Sequence, residues 1–525
     1  MNEKETGSFY TPQKLIEYMV SYVKSRLHPN SILEPSAGDG RFINALSDFQ
    51  STITAVELDE GKVRELNEKY GTLCDNICCD DFINYSLESE KTFDLIIGNP
   101  PYIAKKVLDE TQCEKSEKIV NYYKLDKSVF QNLWVSFVLS SIKLLSKEGA
   151  IFFVLPFEFL QVQYAEKLRG FLETRFNTIE IITFEERIFE DIEQDICLVY
   201  LANEVQDKPY IKYTTLISAE NATQTFQSVI MRNKPLKKWS NCILNDEETD
   251  KLMALSRRYT RVSEFGDSSP GIVTGANKYF ILSKKDSEAL NVPAKHILPI
   301  ITKSSSIPAS LIFKQEDFEI ICSEKARTHL LNLTGLKHES FSPNLKNYIE
   351  QGENDKIHEG YKCRNRKRWY DVPVVKNGDI CFFKRFHNIP KVVVNEGKIH
   401  TTDMVYNIRL HPEYKPDAFA FCFYNSLTLA LCEYNGRFYG GGVGEMVPSE
   451  FKQVSIPYKD IEFSQVNELD KMFRENADIQ EIIDYVDSIV LSDLSDEDIT
   501  LLQNIRKKYI SRRMKTFKGG LSYGK

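Results

Sequence analysis

The chain has 525 residues, material for two to four domains of about 100 to 200 residues each, and its 42% hydrophobic and 27% charged residues are those of an ordinary globular protein. Runs of about 18 apolar residues are missing and the start, M-N-E-K-E-T-G-S, has no signal-peptide pattern, so a membrane-spanning chain is not expected and the cytoplasm is the expected compartment. A net charge of −8 argues, on average, against a polyanionic partner, and eleven scattered cysteines without a paired Cys/His cluster predict reduced thiols and no structural metal.

In chain order, Leu15, Ile16, Met19, Val20, Val23 and Leu27 recur at helical spacing behind Pro12 and predict an amphipathic helix over 12–27. A short strand at 31–35 leads into the loop Ser36-Ala37-Gly38-Asp39-Gly40 and a helix from Arg41. The next strand, 52–58, ends in Glu57. An acid at the end of the second strand after a glycine-rich first turn is where a Rossmann-like fold holds ribose hydroxyls. Helices are predicted at 62–70, 133–145 and 165–176, and strands at 75–81, 93–98, 150–155, 179–184 and 196–201. This alternation implies a mainly parallel sheet covered on both faces, with ligands at the carboxyl ends of its strands.

One of those ends carries the chemistry. The run F-D-L-I-I-G at 93–98 reads as a doubly buried strand, with Gly98 expected to turn the backbone into Asn99-Pro100-Pro101-Tyr102. Consecutive prolines stiffen the tip and supply carbonyls without amide donors, Asn99 adds a side-chain carbonyl, and Tyr102 adds a flat face. Such a tip suits a planar ligand bearing an amino group: two oxygens accept its hydrogens while its ring stacks. The same residues would also serve as a plain Pro-Pro turn closing a strand.

After Leu201 the rhythm stops. Residues 206–250 read as a poorly periodic connection with one or two short strands, and 261–458 are rich in glycine, aromatics and bases. Charge is segregated there. Residues 362–391 carry nine Lys/Arg against two Asp (+7), 462–498 carry twelve acids against two bases (−10), and 506–525 carry eight bases and no acid, read as a flexible basic tail. A polyanion meets such segments locally. Lys362, Arg364, Arg366, Lys367, Arg368, Lys384, Arg385, Arg437 and Gly441 are the candidate contacts to such a partner, the alternative for Arg364, Arg366 and Arg368 being a solvated edge strand.

The ordered motifs F-Y-T-P, L-E-P-S-A-G-D-G-R-F, A-V-E-L-D, C-D-D-F and I-I-G-N-P-P-Y, within residues 7–201, resemble the DNA adenine-N6 methyltransferases of the gamma motif order, the TaqI-like group. The resemblance implies S-adenosyl-L-methionine as cofactor and an α/β fold. That fold is a Rossmann-like seven-stranded S-adenosylmethionine-dependent methyltransferase domain, its last strand antiparallel, plus a mixed α/β C-terminal target-recognition domain. It implies that Tyr10, Thr11, Glu34, Pro35, Ala37, Gly38, Gly40, Glu57, Asp81 and Phe82 form the cofactor site. Glu34 would face the cofactor ammonium, Glu57 the ribose and Asp81 the adenine amino group. By the same resemblance Asn99 and Pro100 accept from the target amino group, Tyr102 stacks on the base, and Phe189 is the second stacking aromatic. Phe189 reads equally as a capping hydrophobe.

The expected organisation is a catalytic domain over 1–240, target recognition over 241–460 and a helical segment with the basic tail over 461–525, with no cleavage domain upstream of the first motif. The expected activity is site-specific adenine-N6 methylation of double-stranded DNA by a monomer that flips its target base, leaving room for a cognate restriction endonuclease acting on the same site or for a solitary methylase. Cytosine-C5 chemistry needs a cysteine nucleophile, usually after proline, and the chain has no Pro-Cys dipeptide. Methylation of another planar amine or amide, such as a ribosomal RNA guanine or a protein glutamine, and a non-catalytic DNA-specificity subunit are the alternatives.

Overall fold

A computed structural model describes residues 10–189, 195–205, 208–232, 235–322 and 326–514. The chain divides into two compact units, one of residues 1–249 with 439–442 and 511–518, the other of the remaining residues.

The first unit is built on a nine-stranded sheet of order β3-β2-β1-β4-β5-β7-β6-β8-β9. Its strands are β1 (Ser31–Glu34), β2 (Thr52–Glu57), β3 (Asn76–Cys79), β4 (Phe93–Gly98), β5 (Leu145–Pro156), β6 (Thr178–Phe184), β7 (Ile196–Ala202), β8 (Tyr210–Leu216) and β9 (Gln224–Met231). The first five pair in parallel, and β7 runs antiparallel between β5 and β6. The seven expected strands are all present, with the antiparallel one where the resemblance puts it. The stretch after Leu201, expected to carry one or two short strands, forms β8, parallel to β6, and β9, antiparallel to β8, which extend the sheet at that edge.

Strand order explains where ligands can gather. β1 lies between β2 and β4, so the chain leaves β1 on one side and reaches β4 on the other, and this reversal opens a crevice at the carboxyl ends of β1, β2 and β4. Helix α1 (Gln13–Lys24) buries Leu15, Ile16, Met19, Val20 and Val23 as its spacing predicts, and α2 (Arg41–Leu46) and α3 (Glu60–Tyr70) follow β1 and β2. Helices α4 (Phe82–Glu88) and α5 (Glu110–Tyr122) were not legible in the sequence, whereas α6 (Leu133–Lys143) and α7 (Glu166–Arg175) were.

The second unit is mixed α/β. It holds a five-stranded sheet whose neighbours include Gly266–Pro270, Val405–Leu410, Ile380–Phe383 and Lys391–Asn395, and a four-stranded sheet centred on Arg327–Leu331. Helices at Pro416–Phe423, Ser426–Asn435, Phe463–Arg474 and Ile479–Val490 accompany them, the last two placing the acid-rich stretch on amphipathic helices. The helix Asp496–Met514 replaces the first half of the expected flexible tail. Its last turn belongs to the first unit, where Arg512 is buried with its guanidinium 4.1 Å from the centre of the Phe157 ring and paired with Asp195 at 2.6 Å. The rest of the expected tail, 515–525, lies outside the described residues. None of the described helices is long and apolar enough to cross a membrane.

Candidate active site

The glycine loop after β1 is shaped by contacts that only glycine permits. Gly38 and Gly40 adopt φ of +56° and +81°, and a Cβ at Gly40 would lie 2.3 Å from the Tyr70 ring. Glu57, at the end of β2, ties this loop down: its Oε2 accepts from the Gly38 amide at 2.8 Å and its Oε1 from the Asp59 amide at 3.0 Å. Ala37 is buried with its amide on the Val56 carbonyl, and Pro35 is buried beside it. Tyr10 stands partly exposed over the loop, with the Arg41 guanidinium 5.7 Å and the Lys62 ammonium 5.6 Å from its ring centre. The Thr11 carbonyl accepts from Arg41 at 3.2 Å. Asp81 caps α4, its Oδ1 accepting from the amides of Ile83 and Asn84, while its Oδ2 pairs with Lys115 at 3.3 Å. Phe82 is buried against Phe137 at 5.0 Å between ring centres.

Glu34, at the end of β1, is completely buried, and among the described residues neither of its carboxylate oxygens has a hydrogen-bond partner within ordinary geometry. Burial pushes its carboxyl well above the usual range, and the charges of Glu57 and Asp39 push the same way against the Ser36 amide. A buried acid left in this state fits a cationic ligand group. It also explains Gly98. A Cβ on that residue would lie 2.4 Å from Glu34 Oε1, and its φ is not in the left-handed region, so the glycine is there for room and not to turn the chain as expected.

The tip follows at once. The Asn99 carbonyl accepts from Ser36 Oγ at 3.1 Å, which fastens the tip to the glycine loop. Pro100 is buried, and the hydroxyl of half-buried Tyr102 donates to the Val154 carbonyl at 3.1 Å, which holds the far end of its ring in place. Tyr102 and Phe189 both pack half-buried against the same apolar cluster. Beyond the tip, Ile103 accepts from the Leu133 amide at 2.8 Å and Ala104 bridges to Asn132, so the chain leaves the site along an ordered path. The structure thus gathers Thr11, Glu34, the glycine loop, Glu57, Asp81 and Asn99 at one end of the sheet. Sequence reasoning gave no role of their own to Ser36 or Lys115 and gave Gly98 that of a turn, because what these residues do depends on partners distant in the chain.

Residues 43–189 match the family model of the Eco57I restriction-modification methylase, and residues 236–491 match that of the C-terminal domain of Type II methyltransferase M.Eco57I. Over these two stretches the chain is similar to the Eco57I-like family of DNA methyltransferases. It is 23% identical to the Type II methyltransferase M.AccI of Acinetobacter calcoaceticus, covering 94% of this chain and 95% of that one. Its likeness to M.HincII of Haemophilus influenzae is 29% over 197 residues, 37% of this chain and 36% of that one. Among solved structures, the Type IIL restriction-modification enzyme MmeI in complex with DNA superposes with a TM-score of 0.59 at 11% identity, over 95% of this chain and 75% of that one, and so shares the fold.

In the part of this Eco57I-like chain that matches the C-terminal family model, the basic candidates separate into two kinds. Residues 361–364 form a short helix and not an edge strand. Lys362, Arg364 and Lys367 are exposed, the first and second with their charges 5.6 and 5.5 Å from the ring centre of exposed Tyr361. Arg366 turns inward and donates to the carbonyls of Val273, Thr274 and Trp369 at 3.0, 2.7 and 3.3 Å. Arg368 binds Asp371 and the carbonyls of Leu333 and Leu336. Arg385 pairs with Glu445, and half-buried Arg437 with Glu450, each at 2.6 Å. Lys384 is half-buried with its amide and carbonyl engaged by Met404 and Met446, and Gly441 has φ of +78°. Arg366, Arg368 and Arg437 therefore hold the fold's own carbonyls and acids, and the exposed trio is left as the stronger candidate for phosphate.

Proposed function

We propose that this chain is a site-specific DNA adenine-N6 methyltransferase using S-adenosyl-L-methionine. The proposed division of labour is a catalytic domain over 1–240, target recognition over 241–460 and a C-terminal helical segment. The observation that carries the reading is the buried Glu34 carboxylate directly beneath the Gly98–Asn99 tip: a site for a cationic amino-acid group lies against an acceptor site for an amino group. Glu34 and Thr11 would hold the methionine end of the cofactor, Glu57 the ribose, and Asp81 its adenine. When bound, the cofactor supplies a methyl group on a sulfonium.

The target amine needs help from the protein. Its lone pair is delocalised into the purine ring, and the Asn99 side chain with the Pro100 carbonyl would draw its hydrogens aside and turn that lone pair outward. Tyr102, held by Val154, would stack on the base and Phe189 would close the other side, each such stack worth about 1–3 kcal/mol against the cost of flipping the base from its duplex. Positioning performs the catalysis, and no covalent enzyme intermediate is required. A cognate restriction endonuclease and action as a monomer complete the proposal.

The substrate class is tested with the purified protein and labelled cofactor, offered duplex DNA, ribosomal RNA and a protein extract. Label is expected in DNA, recovered as N6-methyladenine. Label confined to RNA or protein would replace this reading by methylation of another planar amine or amide.

Further variants probe the remaining parts. Glu57→Ala is expected to weaken cofactor binding about tenfold or more, because it removes the ribose acceptor and also frees the Gly38 amide, while DNA affinity stays near wild type. Calorimetry checks this. Replacing Lys362, Arg364 and Lys367 together by Ala is expected to lower the salt-dependence slope of DNA binding by roughly three, equally on target and random duplexes, since each lost phosphate contact releases about one counterion fewer. Arg366→Ala and Arg368→Ala should instead lower the melting temperature, because the carbonyls they bind lose their donors. A wild-type salt slope in the triple variant would move the DNA face elsewhere.

A further inference from the structure

We infer that Lys115 is a positioning residue for the cofactor's base: it fixes the Asp81 carboxylate so that one oxygen lobe stays aimed at an adenine amino group. This rests on the proposed role of Asp81 above and adds a residue from a different helix to that site.

Asp81 is nearly buried, and its two oxygens are held differently. Oδ1 accepts from the Ile83 amide at 2.8 Å and the Asn84 amide at 3.4 Å, which anchors that oxygen to the start of α4. A carboxylate turns about its last bond as one plane in broad wells, so two contacts on one oxygen, one of them long, limit its tilt only partly. Lys115, whose Nζ lies 3.3 Å from Oδ2, restrains the other edge of that plane. With two anchors the carboxylate plane is set. One ammonium hydrogen uses one lone pair of Oδ2, and the second lone pair remains for an incoming N–H.

Lys115 is itself well placed to act as an anchor. It projects from α5, a helix capped by Asp109 through the Gln112 amide and braced by Glu117, which pairs with Lys105 at 3.0 Å and Lys127 at 2.7 Å. Lys115 is 28% exposed and Asp81 7%, so the pair sits where water screens it less than at an open surface.

The experiment measures binding to S-adenosylhomocysteine and to its analogue with hydrogen in place of the 6-amino group, in the full-length protein. The ratio of the two dissociation constants reports the amino contact alone. A hydrogen bond to a charged group predicts a ratio of about 10 or more for wild type. Lys115→Met is expected to bring it down about threefold or more, and Lys115→Arg to restore it. Loss of general stability would weaken both ligands together and leave the ratio unmoved, so a wild-type or increased ratio in Lys115→Met overturns the proposal. Asp81→Asn separates the two layers. If it leaves the ratio unchanged, Asp81 does not read the amino group and the underlying assignment fails. If it abolishes the ratio while Lys115→Met does not, only the role of Lys115 fails.

Discussion

Asn99→Ala is expected to lower kcat by about 10²-fold or more while cofactor and DNA affinities remain within a few fold of wild type. The side-chain carbonyl would matter most when the amine becomes pyramidal and its hydrogens most acidic, so its loss falls on the transition state and little on the ground state. The tip should survive the change, because the Asn99 backbone carbonyl still accepts from Ser36 and Tyr102 still holds Val154. Single-turnover kinetics at saturating cofactor and DNA check it. A parallel loss of DNA affinity and rate would make Asn99 a binding residue and remove it from the chemistry.

Glu34→Gln is expected to weaken cofactor binding about 10²-fold, which is roughly 3 kcal/mol, the order found when one member of a buried charge pair is truncated. The pH dependence follows from the same acid. Burial raises its carboxyl well above the ordinary value in the folded protein. With the folded value above the unfolded one, its contribution to the stability of the cofactor-free protein is fully present at acidic pH and is lost as pH rises through the folded value. A cationic ligand needs the ionised form, so cofactor affinity should fall as pH drops through that same value, and binding just below it should release a proton. Titration calorimetry in buffers of different ionisation enthalpy measures that proton. Wild-type affinity in Glu34→Gln, or no proton exchange across the range, would take Glu34 out of the cofactor site.

The outline of the catalytic sheet could be read from the chain because its signals are local: short branched runs such as Leu95-Ile96-Ile97, a glycine turn after β1, and an acid at the end of β2. β8 and β9 were foreseen only as one or two short strands without bounds, because the sheet reaches its edge there and β9 is largely exposed along its length, so neither strand shows an apolar run. Helix α5 escaped for a related reason, since its sequence E-T-Q-C-E-K-S-E-K-I-V-N-Y buries little more than Ser116, Ile119 and Val120.

The roles of single residues were harder to read than the fold. A dense basic segment looks the same whether its guanidinium groups face solvent or, as Arg366 and Arg368 do, satisfy carbonyls dozens of residues away. Gly98 shows the reverse case. Its need for a missing Cβ is dictated by Glu34, sixty-four positions earlier in the chain, and no local pattern carries that information. Charge counting finds the exposed Lys362, Arg364 and Lys367, but only the fold separates them from the half-buried Arg366 and Arg368.

The most direct test is base-resolved sequencing of methylated positions in DNA from a methylation-free host expressing either the wild-type chain or Asn99→Ala. The expected result is N6-methyladenine at one short recurring sequence across the genome with the wild-type chain, and its loss with Asn99→Ala. Methylation on cytosine, at no consistent sequence, or undiminished by Asn99→Ala would contradict the assignment of this tip to adenine.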